Sequence, residues 1–202
     1  MPSILTLTGS PIKNGSTDIL LGKIAEGIRE SFPDEVKNEF VRLNDYQYLA
    51  CQSCGKNPEP DFCFFHDEIY PIYSLLMDCD IVLFGSPVYY DTVSAQAKLF
   101  IDRCNCFRPV DFKNPKGPVF RKILTDEKLG AIALVGGERQ DLECARKVLA
   151  GFYKWLGISN CGMVSYSGSS WEQGAVEGDL AKLNEAVSLG RKIASRILPH
   201  TK

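Results

Sequence analysis

No surplus of one charge runs through this chain of 202 residues: 23 lysines and arginines stand against 25 aspartates and glutamates, a net charge of −2, with no long block of either sign. The electrostatic footprint of a general nucleic-acid binder or a basic membrane-surface protein is therefore missing, and neither partner is expected. No run of about 18 apolar residues is present, which excludes a membrane-spanning helix. The start, Met1 to Gly9, has no basic lead and no long apolar core, so it reads as the beginning of a fold rather than a secretory signal. A cytoplasmic location is expected, and with it thiols rather than a disulfide framework for the eight cysteines. Internal repeats and low-complexity tracts are also lacking. With 45% apolar and 24% charged residues, the chain has enough of both to fold around a core of its own.

What the chain does contain is an alternation of strand and helix patterns. Short apolar runs at Ile4 to Thr8, Ile81 to Phe84, Ala131 to Val135 and Cys161 to Tyr166, with a half-polar one around Phe40, Val41 and Leu43, predict five strands. Helical stripes follow each. They run through Ile19, Leu20, Ile24, Ile28 and Phe32, through Ile69, Ile72, Tyr73, Leu76 and Met77, and over residues 94–104. The last two run through Leu142, Ala145, Leu149, Phe152 and Leu156, and through Leu180, Leu183, Val187, Ala194 and Ile197. Ser16 or Thr17 is expected to cap the first helix. Five strands with a helix after each predict an α/β fold, a doubly wound parallel sheet with helices on both faces, in one domain over 1–202. Two irregular stretches interrupt it, at about 44–66 and 105–128.

Ligands of such a sheet bind beyond the carboxyl ends of its strands. After the first strand comes Gly9-Ser10-Pro11-Ile12-Lys13-Asn14-Gly15-Ser16-Thr17, which is neither a Walker A sequence nor G-x-G-x-x-G. It offers hydroxyls, one lysine and the amides of a helix start, the chemistry of an anion site or of a plain capped turn. After the third strand, Gly85-Ser86-Pro87-Val88-Tyr89-Tyr90-Asp91 brings two tyrosines to the ligand end. Such a loop suits a flat conjugated ligand, although one of the two rings is expected to pack beneath it. After the fourth strand, Gly136-Gly137 permits close backbone approach or a simple turn.

Together these segments resemble the NAD(P)H-dependent FMN reductase family of flavodoxin-like proteins. Gly9 to Thr17 follows its G-S-P-x-x-x-G-x-T pattern. Ser86-Pro87-Val88-Tyr89-Tyr90 and then Ser94-Ala95-Gln96-Ala97-Lys98-Leu99-Phe100-Ile101-Asp102-Arg103 follow its second and third motifs. The resemblance implies strand order 2-1-3-4-5 and FMN as cofactor. Ser10, Lys13, Gly15, Ser16 and Thr17 would hold the phosphate, Pro87, Val88, Tyr89 and Tyr90 would wrap the isoalloxazine, and Gly136 and Gly137 would approach the ring. It implies a homodimer or homotetramer that takes hydride from NADH or NADPH and reduces a quinone, free flavin, metal ion or protein acceptor. An essential catalytic side chain is not expected, because the chemistry belongs to the flavin. Asp91 stands where many members carry glycine. An electron-transfer flavoprotein using a protein partner, and a flavin-free binding domain, remain as alternatives.

The stretch at 44–66 contains Cys51, Cys54 and Cys63. The family's iron–sulfur flavoprotein branch has C-x2-C-x2-C-x5-C here, and Asn57 replaces the third cysteine. Three readings stand: thiols that shape the loop, a zinc set completed by His66, and a [4Fe–4S] cluster with an outside ligand. The first is preferred. The acidic pair Asp67-Glu68 also fits the family pattern. Cys79, Cys104, Cys106, Cys144 and Cys161 read mostly as buried thiols, and Trp155 as helix packing. Trp171 has open readings between cleft edge and subunit contact. Phe107, Arg108 and Phe112 are candidates to shape a substrate pocket, and His200 has no role.

Overall fold

A computed structural model describes residues 2–32, 36–54, 62–107, 110–111, 119–120, 124, 127–170 and 172–197. Five main strands, β1 (Ser3–Thr8), β2 (Lys37–Arg42), β3 (Ile81–Tyr89), β4 (Lys128–Gly137) and β5 (Ile158–Gly168), alternate with helices α1 (Ser16–Arg29), α2 (Tyr70–Asp78), α3 (Ala95–Arg103), α4 (Glu143–Leu156) and α5 (Leu180–Ile197). All are parallel, in the order 2-1-3-4-5, as the resemblance implies.

The three central strands are apolar on both faces because both are covered. Leu5, Leu7, Val82, Phe84, Ile132 and Leu134 pack on α2, α3 and α4. Their neighbours one residue away, Ile4, Ile81, Leu83, Ala131 and Ala133, pack on α1 and α5. This is the period-two alternation of a strand with no wet face. The two helices of the second layer touch backbone to backbone: a Cβ on Gly27 would fall 2.0 Å from the Val187 carbonyl oxygen, and one on Gly190 2.1 Å from that of Ile24.

Several boundaries move. β3 runs on through Pro87 to Tyr89, so the predicted loop there is largely strand, and a two-residue arm at Thr92–Val93 folds back on it. Lys128 belongs to β4, and its buried ammonium donates to the carbonyls of Met77 (2.7 Å) and Cys79 (2.6 Å), closing the end of α2. Within the second irregular stretch, Cys104–Phe107 forms a 3-10 turn and Val110–Asp111 pairs with Val119–Phe120. Leu180 is exposed, which removes it from the α5 core face. No described helix is long and apolar enough to cross a membrane.

Candidate functional site at the carboxyl rim

The loop between β1 and α1 is held by its own side chains. Thr8 donates its hydroxyl to Asp18 Oδ1 (2.8 Å) and accepts the Ser10 amide (3.2 Å). The Ser10 hydroxyl accepts the Ile12 amide and donates to the Ile12 carbonyl, both at 3.2 Å. Asp18 Oδ2 accepts the Asn14 amide (2.9 Å), which steadies Asn14 at φ 57°, and also pairs with the Arg42 guanidinium at the end of β2. The N-cap of α1 is Gly15 with no side-chain cap, so Ser16 and Thr17 lie inside the first turn and are not caps. The Ser16 hydroxyl is turned instead to the Val176 amide (3.2 Å), from the segment after β5. The first amides of α1 have no intrahelical partner, and the exposed Lys13 belongs to the loop that leads into them. That donor set suits an anion.

Buried serines join this loop to the next. Ser94, the N-cap of α3, accepts the Ala97 amide (3.2 Å) and donates to the Gly9 carbonyl (2.7 Å). Ser86 accepts the Ser94 amide at 2.9 Å. Gly9 is tight for this reason: a Cβ there would lie 2.7 Å from both Ala97 Cβ and Ser94 Oγ.

The turn Tyr90-Asp91 links β3 to its arm with both residues at positive φ (48° and 59°). Two-residue hairpins demand that conformation, which aspartate tolerates better than a bulky side chain. Asp91 therefore occupies a glycine-like position directly, and its Oδ1 accepts the Asp141 amide (3.0 Å) from the loop after β4. In that loop Gly137 donates its amide to Gln140 Oε1 at 2.6 Å. The three loops thus form one rim.

Of the residues named from sequence, Ser10, Lys13, Gly15, Ser16 and Thr17 share the first loop, and Gly136 and Gly137 close the rim at the end of β4. Pro87 and Val88 are buried within β3. Tyr89 and Tyr90 both face outward, Tyr90 with 98% exposure. The expectation that one ring would pack below the loop is corrected, because alternation along β3 spends Val88 on the core and the turn carries Tyr90 away from it. Asp18, Arg42, Ser94 and Gln140 were not foreseen as part of this rim. An aspartate in a helix's first turn was a usable signal for Asp18; Arg42, 24 residues away, gave none.

The cysteine stretch lies against α3. Arg103, 1% exposed, donates through Nη1 to Asp67 Oδ2 (2.6 Å) and the Leu49 carbonyl (2.7 Å), and through Nη2 to Asp67 Oδ1 (3.0 Å) and Cys63 Sγ (3.6 Å). It lies over the rings of Tyr48 and Phe65, and its buried Nε has no acceptor among the described residues. Burial pushes the Cys104 thiol well up, and that of Cys106 up to about 12, so both stay protonated near neutral pH. His66 stacks on Tyr70 at 4.3 Å. Among the described residues no three of His, Cys, Asp and Glu come close enough together to hold a metal ion. Cys51, Cys54, Cys63 and His66 as placed therefore do not fit a zinc ion or a cluster; Asn57 lies outside the described residues.

Other expectations change. Phe107 is buried against Phe62 and Tyr73, and Cys144 is exposed. Trp155 is 56% exposed, because Phe152, Tyr153 and Leu156 take the inward face of α4. Its ring borders a cavity of about 620 Å³ between α3 and α4, also lined by Cys51, Cys104 and Phe152. Arg108, Phe112, Trp171 and His200 lie outside the described residues.

A profile of the NADPH-dependent FMN reductase family matches residues 2–173. The chain belongs to this family. It is 30% identical over 105 residues to an iron–sulfur flavoprotein of Methanocaldococcus jannaschii, a match covering 52% of this chain and 53% of that one. The chain thus aligns with only about half of that relative's length. It is 23% identical over 193 residues to YwqN of Bacillus subtilis, named as an NAD(P)H-dependent FMN-containing oxidoreductase, with 96% of this chain and 97% of that one covered. The solved azoreductase AzrA superposes with TM-score 0.65 at 17% identity, over 96% of this chain and 100% of that one, which supports the fold.

Proposed function

We propose that this protein is an FMN-dependent oxidoreductase that accepts electrons from NADH or NADPH and passes them to a quinone, flavin, metal ion or protein acceptor. The observation that carries the reading is the rim, in which three loops of a family member are hydrogen-bonded to one another at the carboxyl end of a parallel sheet. FMN, when bound, supplies two-electron chemistry between the donor and the acceptor.

The chain's own residues bind and orient. Amides of Ser16 and Thr17, with the Lys13 ammonium, meet the phosphate at the positive end of α1. Tyr89 and Tyr90 offer stacking surface to the ring. Gly136 and Gly137 let backbone come near it. Pro87 and Val88 act from within β3 by setting the direction of the tyrosines. The whole chain, 1–202, works as one domain in the cytoplasm, as a homodimer or homotetramer, without nucleic acid or membrane.

An anaerobic visible spectrum of the purified protein, before and after NADPH, tests this. A flavin spectrum that NADPH bleaches is expected. A flavin that neither nicotinamide reduces would turn the reading to an electron-transfer flavoprotein. A colourless protein that takes up no FMN would overturn it.

A further inference from the structure

The first loop contains a contradiction for an anion site. Asp18, a carboxylate with 8% side-chain exposure, sits in the first turn of α1, the end where a phosphate must also be received. Its charge competes with the ligand's for the same helix end. Yet the carboxylate cannot simply be dispensed with, because its two oxygens hold the Thr8 hydroxyl and the Asn14 amide, and through Thr8 the Ser10 amide. Arg42 resolves this. Its guanidinium, 12% exposed, pairs with Asp18 from the end of β2 and reaches Asp45 at 3.5 Å on its outer side.

We infer that Arg42 and Asp18 are paired positioning residues for the phosphate end of the flavin: Asp18 shapes the loop, and Arg42 cancels its charge so that the loop can accept a dianion. This rests on the FMN reading above. The consequence is discrimination, since riboflavin has the same ring and ribityl chain without the phosphate. Charge left beneath the loop penalises FMN and leaves riboflavin nearly untouched. An uncancelled charge at the helix end that receives the phosphate, partly shielded from water, weakens binding about tenfold or more.

The flavin-free full chain is titrated with FMN and with riboflavin by fluorescence quenching, with circular dichroism and a melting curve for each variant. Arg42→Gln, which keeps a donor for Asp18 but not the charge, is expected to weaken FMN about tenfold or more while riboflavin changes by less than about twofold. Arg42→Lys is expected to restore most of the preference. The double variant Asp18→Asn/Arg42→Gln has neither charge but only one acceptor for the Thr8 hydroxyl and the Asn14 amide; it is expected to bind both flavins less tightly than the wild type while recovering the FMN-to-riboflavin ratio lost in Arg42→Gln, which a purely structural role of Arg42 does not produce. Should Arg42→Gln fail to fold, Arg42→Lys and the double variant carry the same test through their FMN-to-riboflavin ratios. Equal losses for both flavins, or a double variant with no preference for FMN, overturns the inference while the FMN reading stands. A wild-type chain that binds neither flavin overturns the FMN reading itself, and this inference with it.

Discussion

Two largely buried arginine–aspartate pairs tie irregular segments to the sheet and its helices, and they are unlike in one respect. Arg42–Asp18 lies behind the first rim loop, where each Asp18 oxygen also takes a neutral donor from the loop. Arg103–Asp67 lies behind the cysteine stretch, where the arginine is sealed among rings and thiols and its Nε finds no acceptor among the described residues. A buried charge pair stabilises only when its remaining hydrogen-bonding capacity is met. The first pair meets it and shapes the loop proposed to receive the flavin phosphate. The second holds a loop down, and among the described residues it leaves one donor unmet; a buried unmet donor costs about 1–3 kcal/mol in general. The same residue types therefore serve preorganisation in one place and anchoring in the other.

Breaking the anchoring pair has the larger consequence. Asp67→Ala leaves Arg103 charged at 1% exposure, and a loss of about 3–5 kcal/mol in urea unfolding is expected. A loss under about 1 kcal/mol would mean that this pair is not buried as described. Arg42→Met, on the partly open pair, is expected to lose about 2 kcal/mol in the same measurement.

The thiols sharpen the contrast by pH. Burial raises the Cys79 thiol from an ordinary value of 9.0 to about 12. The unfolded chain then releases that proton first as pH rises, so stability is whole below about pH 9 and declines from there toward pH 12. Unfolding free energies from urea titrations at pH 7 and pH 10 are expected to differ by about 1 kcal/mol for each such group. In the native protein, iodoacetamide is expected to label Cys54 and Cys144, which are exposed, and to spare Cys79 and Cys104, which mass spectrometry resolves. The smallest effect belongs to the hairpin: Tyr90→Asn, at φ 48°, is expected to raise the unfolding free energy from urea titration by about 0.5–1 kcal/mol. Since Tyr90 is proposed to face the flavin, the same variant should weaken FMN binding, separating fold from function at one position.

The order of elements was legible because apolar runs of both periods are strong in this chain, and β3 and β4 lack polar residues on either face over Ile81 to Phe84 and Ala131 to Leu134. Boundaries were less so. Pro87 looks like the end of a strand, and it is tolerated inside β3 because the chain beside it, β1, has already ended at Thr8, opposite Gly85. The rim loops were legible from their residue types and family motifs. The bonds that unite them were not, since Ser94 to Gly9 spans 85 positions and Asp91 to Asp141 spans 50. Trp155 misled because a helical stripe can be read one position too wide: Leu149, Phe152 and Leu156 already fill the inward face.

By itself the sequence determined the alternating α/β plan, the family and the chemical character of each loop, because hydrophobic period and turn composition are local properties of the chain. Which residues meet was decided only by the tertiary structure. Arg42 reaches Asp18 because parallel pairing sets β2 beside β1, register by register, from Ser3–Lys37 to Thr8–Arg42. That pairing is a long-range event that no local pattern encodes, and it alone brings a guanidinium to the acidic side chain at the start of α1.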